Sequence, residues 1–411
     1  MGNYIAARQP VLDSNQKVFA YEIRFKNNIE NKKTSENSNL FAEEISEDIE
    51  FFKDSNLADG KKIFINFNAD LIKKEVPFLL SKKNVGIEIS NKTNSKDEII
   101  NIIKKLKESG YLLILDHPEA VLSENVLYDY ADIIKVDYKD GAKTKLKNFI
   151  KNIKSQNSAE VKFLAKNIDE HQHFEAAKKI GFDYFQGIFF TKADIINDSG
   201  TPGYKINYLN ILKELNKEDV DFNEIEKIIK NDISMTFSLL KTINSALYGY
   251  NVSSVKQAST LLGVKGLKKW SLLYLINGLK DNKPDILFVN TLTRAKFAES
   301  LAEEFNVSEK SDDLFTIGIF SMIDAFLNRP LSKILEETAL TEEIKEALLI
   351  REGVMGEILN LVIAFERVKW DQVALIEKKN EIEPKKIYNK YLEAVDFAYD
   401  TLNILMKTNN K

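Results

Sequence analysis

The rhythm of apolar and polar positions changes once along this chain, near residue 195. Before that point, short apolar runs alternate with longer amphipathic stretches. Eight runs have the length and the β-branched and aromatic content of strands: 4–11 (YIAARQPV), 18–25 (VFAYEIRF), 62–67 (KIFINF), 85–90 (VGIEIS), 111–115 (YLLIL), 132–136 (DIIKV), 161–165 (VKFLA) and 184–190 (YFQGIFF). Helix-like segments separate most of them, among them 39–54, 96–110 and 169–181. The last two end in Gly110 and Gly181, each suited to a left-handed C-cap. Strands alternating with helices at this spacing predict βα units around a parallel sheet, and eight of them predict a closed β/α barrel. The first two runs, joined by LDSNQK, are predicted to form an antiparallel hairpin.

Gly, Pro and polar residues then cluster in NDSGTPGYK (197–205), which breaks both rhythms. Beyond it, apolar residues recur at three and four positions, the period of amphipathic helices in a bundle. Phe222, Ile225 and Ile229 share one predicted face, and Ile233, Phe237, Leu240 and Leu247 share the next. Leu261, Leu262, Leu272, Leu273 and Ile276 continue the pattern, and Ala295, Ala298, Leu301 and Ala302 form a face of mostly small residues. Phe315, Ile319, Ile323 and Phe326 follow, then Ile344 with Leu348, Ile358 with Leu361 and Val362, and a last helix through Ile387, Tyr391, Val395 and Ala398. Pro284 and Pro330 fall between helices, where proline belongs. The predicted organisation is a barrel domain over 1–196, a linker over 197–204, an all-helical domain over 205–402 and a polar tail over 403–411.

Composition narrows the chemistry. Lys and Arg number 58 against 62 Asp and Glu, so no global field attracts nucleic acid or a membrane surface. No apolar run reaches membrane-spanning length and no secretory signal is visible at the start, so a cytoplasmic location is expected. Cysteine is absent, which excludes disulfides, thiolate catalysis and cysteine metal sites. The three histidines are His117, His171 and His173, so the helical half has no imidazole at all. His171 and His173 are two apart at a predicted helix start, where they point to different faces and are read as solvated rather than as a metal pair.

Candidate chemistry gathers at strand ends in the first half. In a β/α barrel the carboxyl ends of the strands converge on one mouth. Glu22, Asn66, Glu88, Asp116, Lys135 and Gln186 each lie in or at the end of a predicted strand. Three carboxylates, two amides and a lysine converging there suit divalent-metal and phosphate chemistry. Barrel interiors also hold paired polar residues for purely structural reasons, and the pattern alone leaves both readings open.

The order and context of these residues resemble the EAL family, whose active members cleave cyclic di-GMP with metal ions. Gln9-Pro10 is similar to the opening QP of that family, and Glu22-Ile23-Arg24 stands at the EAL triplet with only the glutamate kept. Asn66 resembles the metal-binding asparagine, Glu88 the first glutamate of an ELTE-like motif, and Asp116 the first aspartate of the DDFGTG loop. Lys135 resembles the lysine of KID, and Gln186-Gly187 the QG near the end of the domain. The departures matter more for activity. His117 stands at the second aspartate, followed by Pro118 and Glu119, so that loop is rewritten. Lys166 stands at the first glutamate of the AEGVE segment, Lys26 at an arginine after the triplet, and Asn91 at the second ELTE glutamate. Set against two-metal hydrolysis, these changes imply a vestigial site with no catalytic residue, no resident metal and no cofactor. A single Mg²⁺ or Ca²⁺ in the mouth is an alternative to an empty one.

The helical half resembles the HDOD domain over roughly 205–375. Asp232, Asn244-Ser245-Ala246-Leu247-Tyr248, and Ala258 with Leu262-Gly263 carry the likeness, which continues through 314–349 and the Gly353–Gly356 turn. HDOD domains are similar to HD-type metal phosphohydrolases without their ligands, in keeping with a half that lacks histidine. Asp232, Asp312 and Asp324 are read as helix-start residues rather than ligands. The segment NVSSVKQASTLLG is a candidate contact element. The two resemblances together imply a non-enzymatic bacterial regulator acting through protein contacts, its partner unspecified. A cyclic di-GMP receptor and a residual phosphodiesterase are the alternatives, with no nucleic acid or membrane partner expected.

Overall fold

The computed structural model describes residues 5–26, 57–90, 97–116, 126–156, 160–194, 210–211, 213–215, 217, 219–244, 252–279 and 283–409. The predicted helix over 39–54, the predicted linker 197–204, Asn91, His117, Pro118, Glu119 and the stretch 245–248 lie outside these residues. Two compact units are present. One comprises Met1–Phe190 with Ala364–Ala374 and Pro384–Tyr388; the other comprises Thr191–Ile363 with Leu375–Glu383 and Asn389–Lys411.

The first unit is a closed eight-stranded barrel with strands in sequential order. Its strands are β1 (Ala6–Asp13), β2 (Val18–Phe25), β3 (Lys62–Phe67), β4 (Val85–Ser90), β5 (Leu112–Asp116), β6 (Ile133–Asp137), β7 (Lys162–Ile168) and β8 (Tyr184–Gly187). All eight coincide with predicted runs to within a few residues. β1 runs antiparallel to both β2 and β8, while every other pair is parallel. Asp13 makes the reversal possible locally: its carboxylate accepts from the backbone N–H of Asn15 at 2.8 Å and of Lys17 at 2.9 Å. Two helices of the barrel unit, Asp97–Glu108 and His171–Ile180, fall where the amphipathic pattern placed them. Gly110 (φ 85°) and Gly181 (φ 111°) close them in the left-handed conformation.

Strands enclosed on both faces need near-continuous apolar runs, and β4 and β6 are buried along almost their whole length. Below the mouth the interior is filled by Val11, Ala20, Phe64, Ile114, Ile133 and Leu164. Space is tight there: a Cβ on Gly86 would come within 2.8 Å of both Phe64 and Ile114.

The second unit is helical, with no strand among its described residues. Ala295, Ala298 and Leu301 on helix Asp285–Leu301 are all buried, with Ala302 beside them. Gly318 on helix Ser311–Phe320 lies against this face so closely that a Cβ would stand 2.2 Å from the Cα of Ala295. The predicted faces of Phe315/Ile319, Ile344/Leu348 and Ile358/Leu361/Val362 are likewise buried.

Three expectations fail. On helix Ile233–Ile243 the buried face is Met235, Leu239 and Ile243, and Phe237 is 62% exposed. Met235, Leu239 and Ile243 form a continuous i, i+4 row, and Phe237 falls off it. Leu261 is exposed because Gly263 (φ 63°, ψ −176°) interrupts Val255–Gly278 and resets the helical phase. The predicted polar tail from 403 is helical: the last helix runs from Pro384 to Asn409.

Candidate functional site

Parallel register and alternation of side chains sort the mouth residues into two layers. Alternate strands supply each layer of a β/α barrel interior. Glu22, Glu88, Lys135 and Gln186 come from β2, β4, β6 and β8. They lie directly above the apolar layer of Phe64, Ile114 and Leu164, which are the register neighbours of Glu22, Glu88 and Lys135. Two residues further along the odd strands stand Asn66 on β3, Asp116 on β5 and Lys166 on β7. The six residues predicted from strand ends therefore converge, as a sealed inner ring of four and an outer pair, and Lys166 completes the outer layer.

The inner ring is fully buried: Glu22, Glu88 and Lys135 are each 0% exposed. Charges at this depth persist when paired and hydrogen-bonded. The Lys135 ammonium donates to Glu22 Oε2 at 2.7 Å and to both Glu88 oxygens at 3.2 Å. Gln186 Nε2 donates to Glu22 Oε2, and Arg24, two residues further along β2, pairs with Glu22 Oε1 at 2.5 Å. Asn66 Nδ2 donates to Glu88 Oε1 at 3.3 Å, while its Oδ1 is buried with no hydrogen-bond partner.

These contacts separate the two glutamates. Burial pushes Glu22 up, but attraction to Lys135 and Arg24, with the hydrogen bonds of Lys135 and Gln186, outweighs it and holds the carboxyl at about 2. Glu88 is raised to about 7, because burial and repulsion from Glu22 and Asp116 outweigh attraction to Lys135 and Arg24. Burial lowers Lys135, yet Glu22 and Glu88 carry it above the usual lysine value.

The outer layer is closed by a lysine. Lys166 Nζ lies 2.7 Å from Asp116 Oδ1 and 3.2 Å from Asp137 Oδ1, with all three side chains largely buried. Asn167 Nδ2 donates to the same Asp137 oxygen at 3.2 Å. The backbone aims this lysine: β7 shifts register against β8 between Ala165 and Ile168, and Asn167 adopts φ 64°. Gly187 permits the shift, since a Cβ there would stand 1.9 Å from the Ile168 carbonyl oxygen.

Sequence reasoning missed two participants, Arg24 and Asp137. Each lies two residues beyond a recognised site residue on the same strand, Glu22 or Lys135, and alternation alone places it on the same face. No group of three Asp, Glu or His side chains is arranged to hold a metal ion among the described residues. His171 opens the helix His171–Ile180, its ring against Phe174 and that of His173 against Tyr138.

In the helical unit Asp232 is the expected N-cap, accepting from the Met235 N–H at 3.0 Å. Asp312 is not: it sits in the first turn of its helix and pairs with Lys265 at 2.9 Å. Asp324 bonds the N–H of Ala325 at 2.9 Å. Burial raises its carboxyl against the opposing hydrogen bonds and the nearby Arg294 and Arg351.

This helical unit is where comparison with known families is decisive. Residues 202–349 match the HDOD domain. The HDOD unit thus covers the residues on which the sequence likeness was first read, from Asp232 to the helix ending at Leu349. Across nearly its whole length the chain is 27% identical to the Uncharacterized protein YuxH of Bacillus subtilis, covering 97% of this chain and 98% of that relative. It is also 27% identical to the Cyclic di-GMP phosphodiesterase CdgJ of Vibrio cholerae, over 89% of this chain and 86% of the relative. Among solved structures, an EAL domain protein from Listeria monocytogenes is 18% identical with a TM-score of 0.36, over 46% of this chain and 87% of that one. The Klebsiella pneumoniae BlrP1 calcium/cyclic di-GMP complex is 16% identical with a TM-score of 0.37, over 45% of this chain and 54% of that one.

Proposed function

We propose that this chain is a cyclic di-GMP signalling protein whose barrel does not hydrolyse the dinucleotide and which acts through protein contacts of its HDOD unit. One observation carries the reading: the Lys166 ammonium bridges Asp116 and Asp137 at the mouth. Metal-assisted phosphodiester hydrolysis needs oxygen ligands free to hold hard cations and a base to activate water. Here the carboxylates of both layers already neutralise Lys135, Lys166 and Arg24. Such a mouth does not fit a pair of divalent ions, and no catalytic step is assigned to any residue in it. The nucleotide itself is suggested by the printed name of the Vibrio relative.

Incubating the purified full chain with cyclic di-GMP and Mg²⁺ or Mn²⁺ tests this, with linear dinucleotide measured by chromatography. No turnover above buffer is expected. Robust linear product would falsify the non-hydrolytic reading. A second reading, residual hydrolysis, is favoured by the buried unpartnered Asn66 Oδ1 and by the name of that same relative. Calorimetry with the dinucleotide in the absence of turnover separates a receptor from a protein that does not bind it.

A further inference from the structure

Building on the non-hydrolytic reading of the same mouth, we propose that Lys166 is a built-in counter-ion, standing where Asp116 and Asp137 would otherwise hold a divalent cation, and that loss of its charge turns the pair into a cation site. The geometry is that of a cation already bound. One nitrogen lies 2.7 Å from Asp116 Oδ1 and 3.2 Å from Asp137 Oδ1, so the two oxygens are no more than about 6 Å apart. Ca²⁺ accepts carboxylate oxygens at about 2.3–2.6 Å, so a small inward movement of either side chain brings both within reach of one ion.

The ammonium is held in place from several directions. The register shift between Ala165 and Ile168, the left-handed Asn167 and the close approach at Gly187 fix the strand that carries it. The Tyr138 N–H donates to the Lys166 carbonyl at 3.0 Å, and Asn167 holds Asp137. Beneath it, Lys135 plays the corresponding part between Glu22 and Glu88. The mouth thus carries its own positive charge covalently, and its carboxylates remain ionised at neutral pH without an external ion to balance them.

The experiment measures Mn²⁺ binding to the full chain by calorimetry and by electron paramagnetic resonance. Wild type is expected to show no saturable site dependent on Asp116 or Asp137. Lys166→Met, which keeps the apolar stem, should bind one Mn²⁺ at least about tenfold more tightly than wild type, because a like charge a few ångströms away has been removed. That gain should vanish when Asp116→Asn or Asp137→Asn is added. Equal affinity in Lys166→Met and wild type would overturn the inference, as would a wild-type site abolished by Asp116→Asn. Thermal unfolding of wild type gives an independent check should Lys166→Met not fold. A melting point unmoved by Mn²⁺ or EDTA is expected, and a rise of several degrees with Mn²⁺ counts against the inference. The two proposals fail separately: turnover without Mn²⁺ binding at the aspartates removes only the non-hydrolytic reading, and tight wild-type binding there without turnover removes only the counter-ion.

Discussion

In the barrel, two glutamates, a lysine and a glutamine pack side by side with no exposure to water, whereas the closest approach in the helical unit is Gly318 against Ala295. Buried polarity in the barrel is ionic and shared: Lys135 serves two carboxylates, and Glu22 is served by Lys135, Gln186 and Arg24. In the helical unit it is largely met within one helix or close by. Thr291 donates to the Leu287 carbonyl at 2.7 Å, and Arg294 donates to Ser321 Oγ at 3.0 Å. The contrast teaches that removing one member of the barrel ring strands charges, while removing a group from the bundle mostly changes packing. A charged ring of this kind adds little net stability relative to an apolar core, so its presence marks the mouth as a place shaped for chemistry or recognition.

The sharpest way to break this contrast is Lys135→Met. Leaving Glu22 and Glu88 buried without their ammonium should cost about 3–5 kcal/mol, read by denaturant unfolding. The accompanying rise in amide hydrogen exchange should concentrate in β2, β4 and β6. A cost below about 1 kcal/mol would show that the ring is not the coupled unit its geometry describes.

Next comes pH. Glu22, held at about 2 instead of 4.5, contributes stability that is present above 4.5 and lost as pH falls through about 2, on the order of 3 kcal/mol at full extent. Glu88 has the opposite sign. Its value is raised to about 7, so its contribution is complete below 4.5 and lost as pH rises through about 7. Glu88→Gln should therefore flatten the loss toward neutral pH and leave the acid loss in place, measured as melting temperature across the range.

Gly318→Ala addresses the other side of the comparison. The added methyl meets the Ala295 backbone, and overpacking of this kind costs about 1–3 kcal/mol. Faster exchange should be confined to helices Asp285–Leu301 and Ser311–Phe320. Asp232→Ala should cost about 1 kcal/mol through loss of the cap on Met235 N–H. Phe237→Ser, at an exposed position, should change stability by less than about 0.5 kcal/mol, and a larger loss would mean that the side chain is covered in solution.

Much of the architecture was legible before any coordinates. The eight strands, the antiparallel first hairpin and the glycine caps at Gly110 and Gly181 follow from local alternation and turn chemistry, which a linear pattern records directly. Helical phase was less legible. An aromatic at position 237 looks like core, but whether a face is covered depends on the neighbouring helix, and the backbone break at Gly263 shifts every later position.

The site divides the same way. Strand alternation and order along the chain determined that Glu22, Asn66, Glu88, Asp116, Lys135 and Gln186 would meet at one mouth. Tertiary structure alone decided the two layers, the sealing of the inner ring and the pairing of Lys166 with Asp116 and Asp137. The physical reason is barrel closure. Stagger between strands sets the height at which each side chain enters the interior, and that height decides which charges lie within hydrogen-bonding distance. Residues 50 positions apart, such as Asp116 and Lys166, become partners only once the sheet has closed on itself.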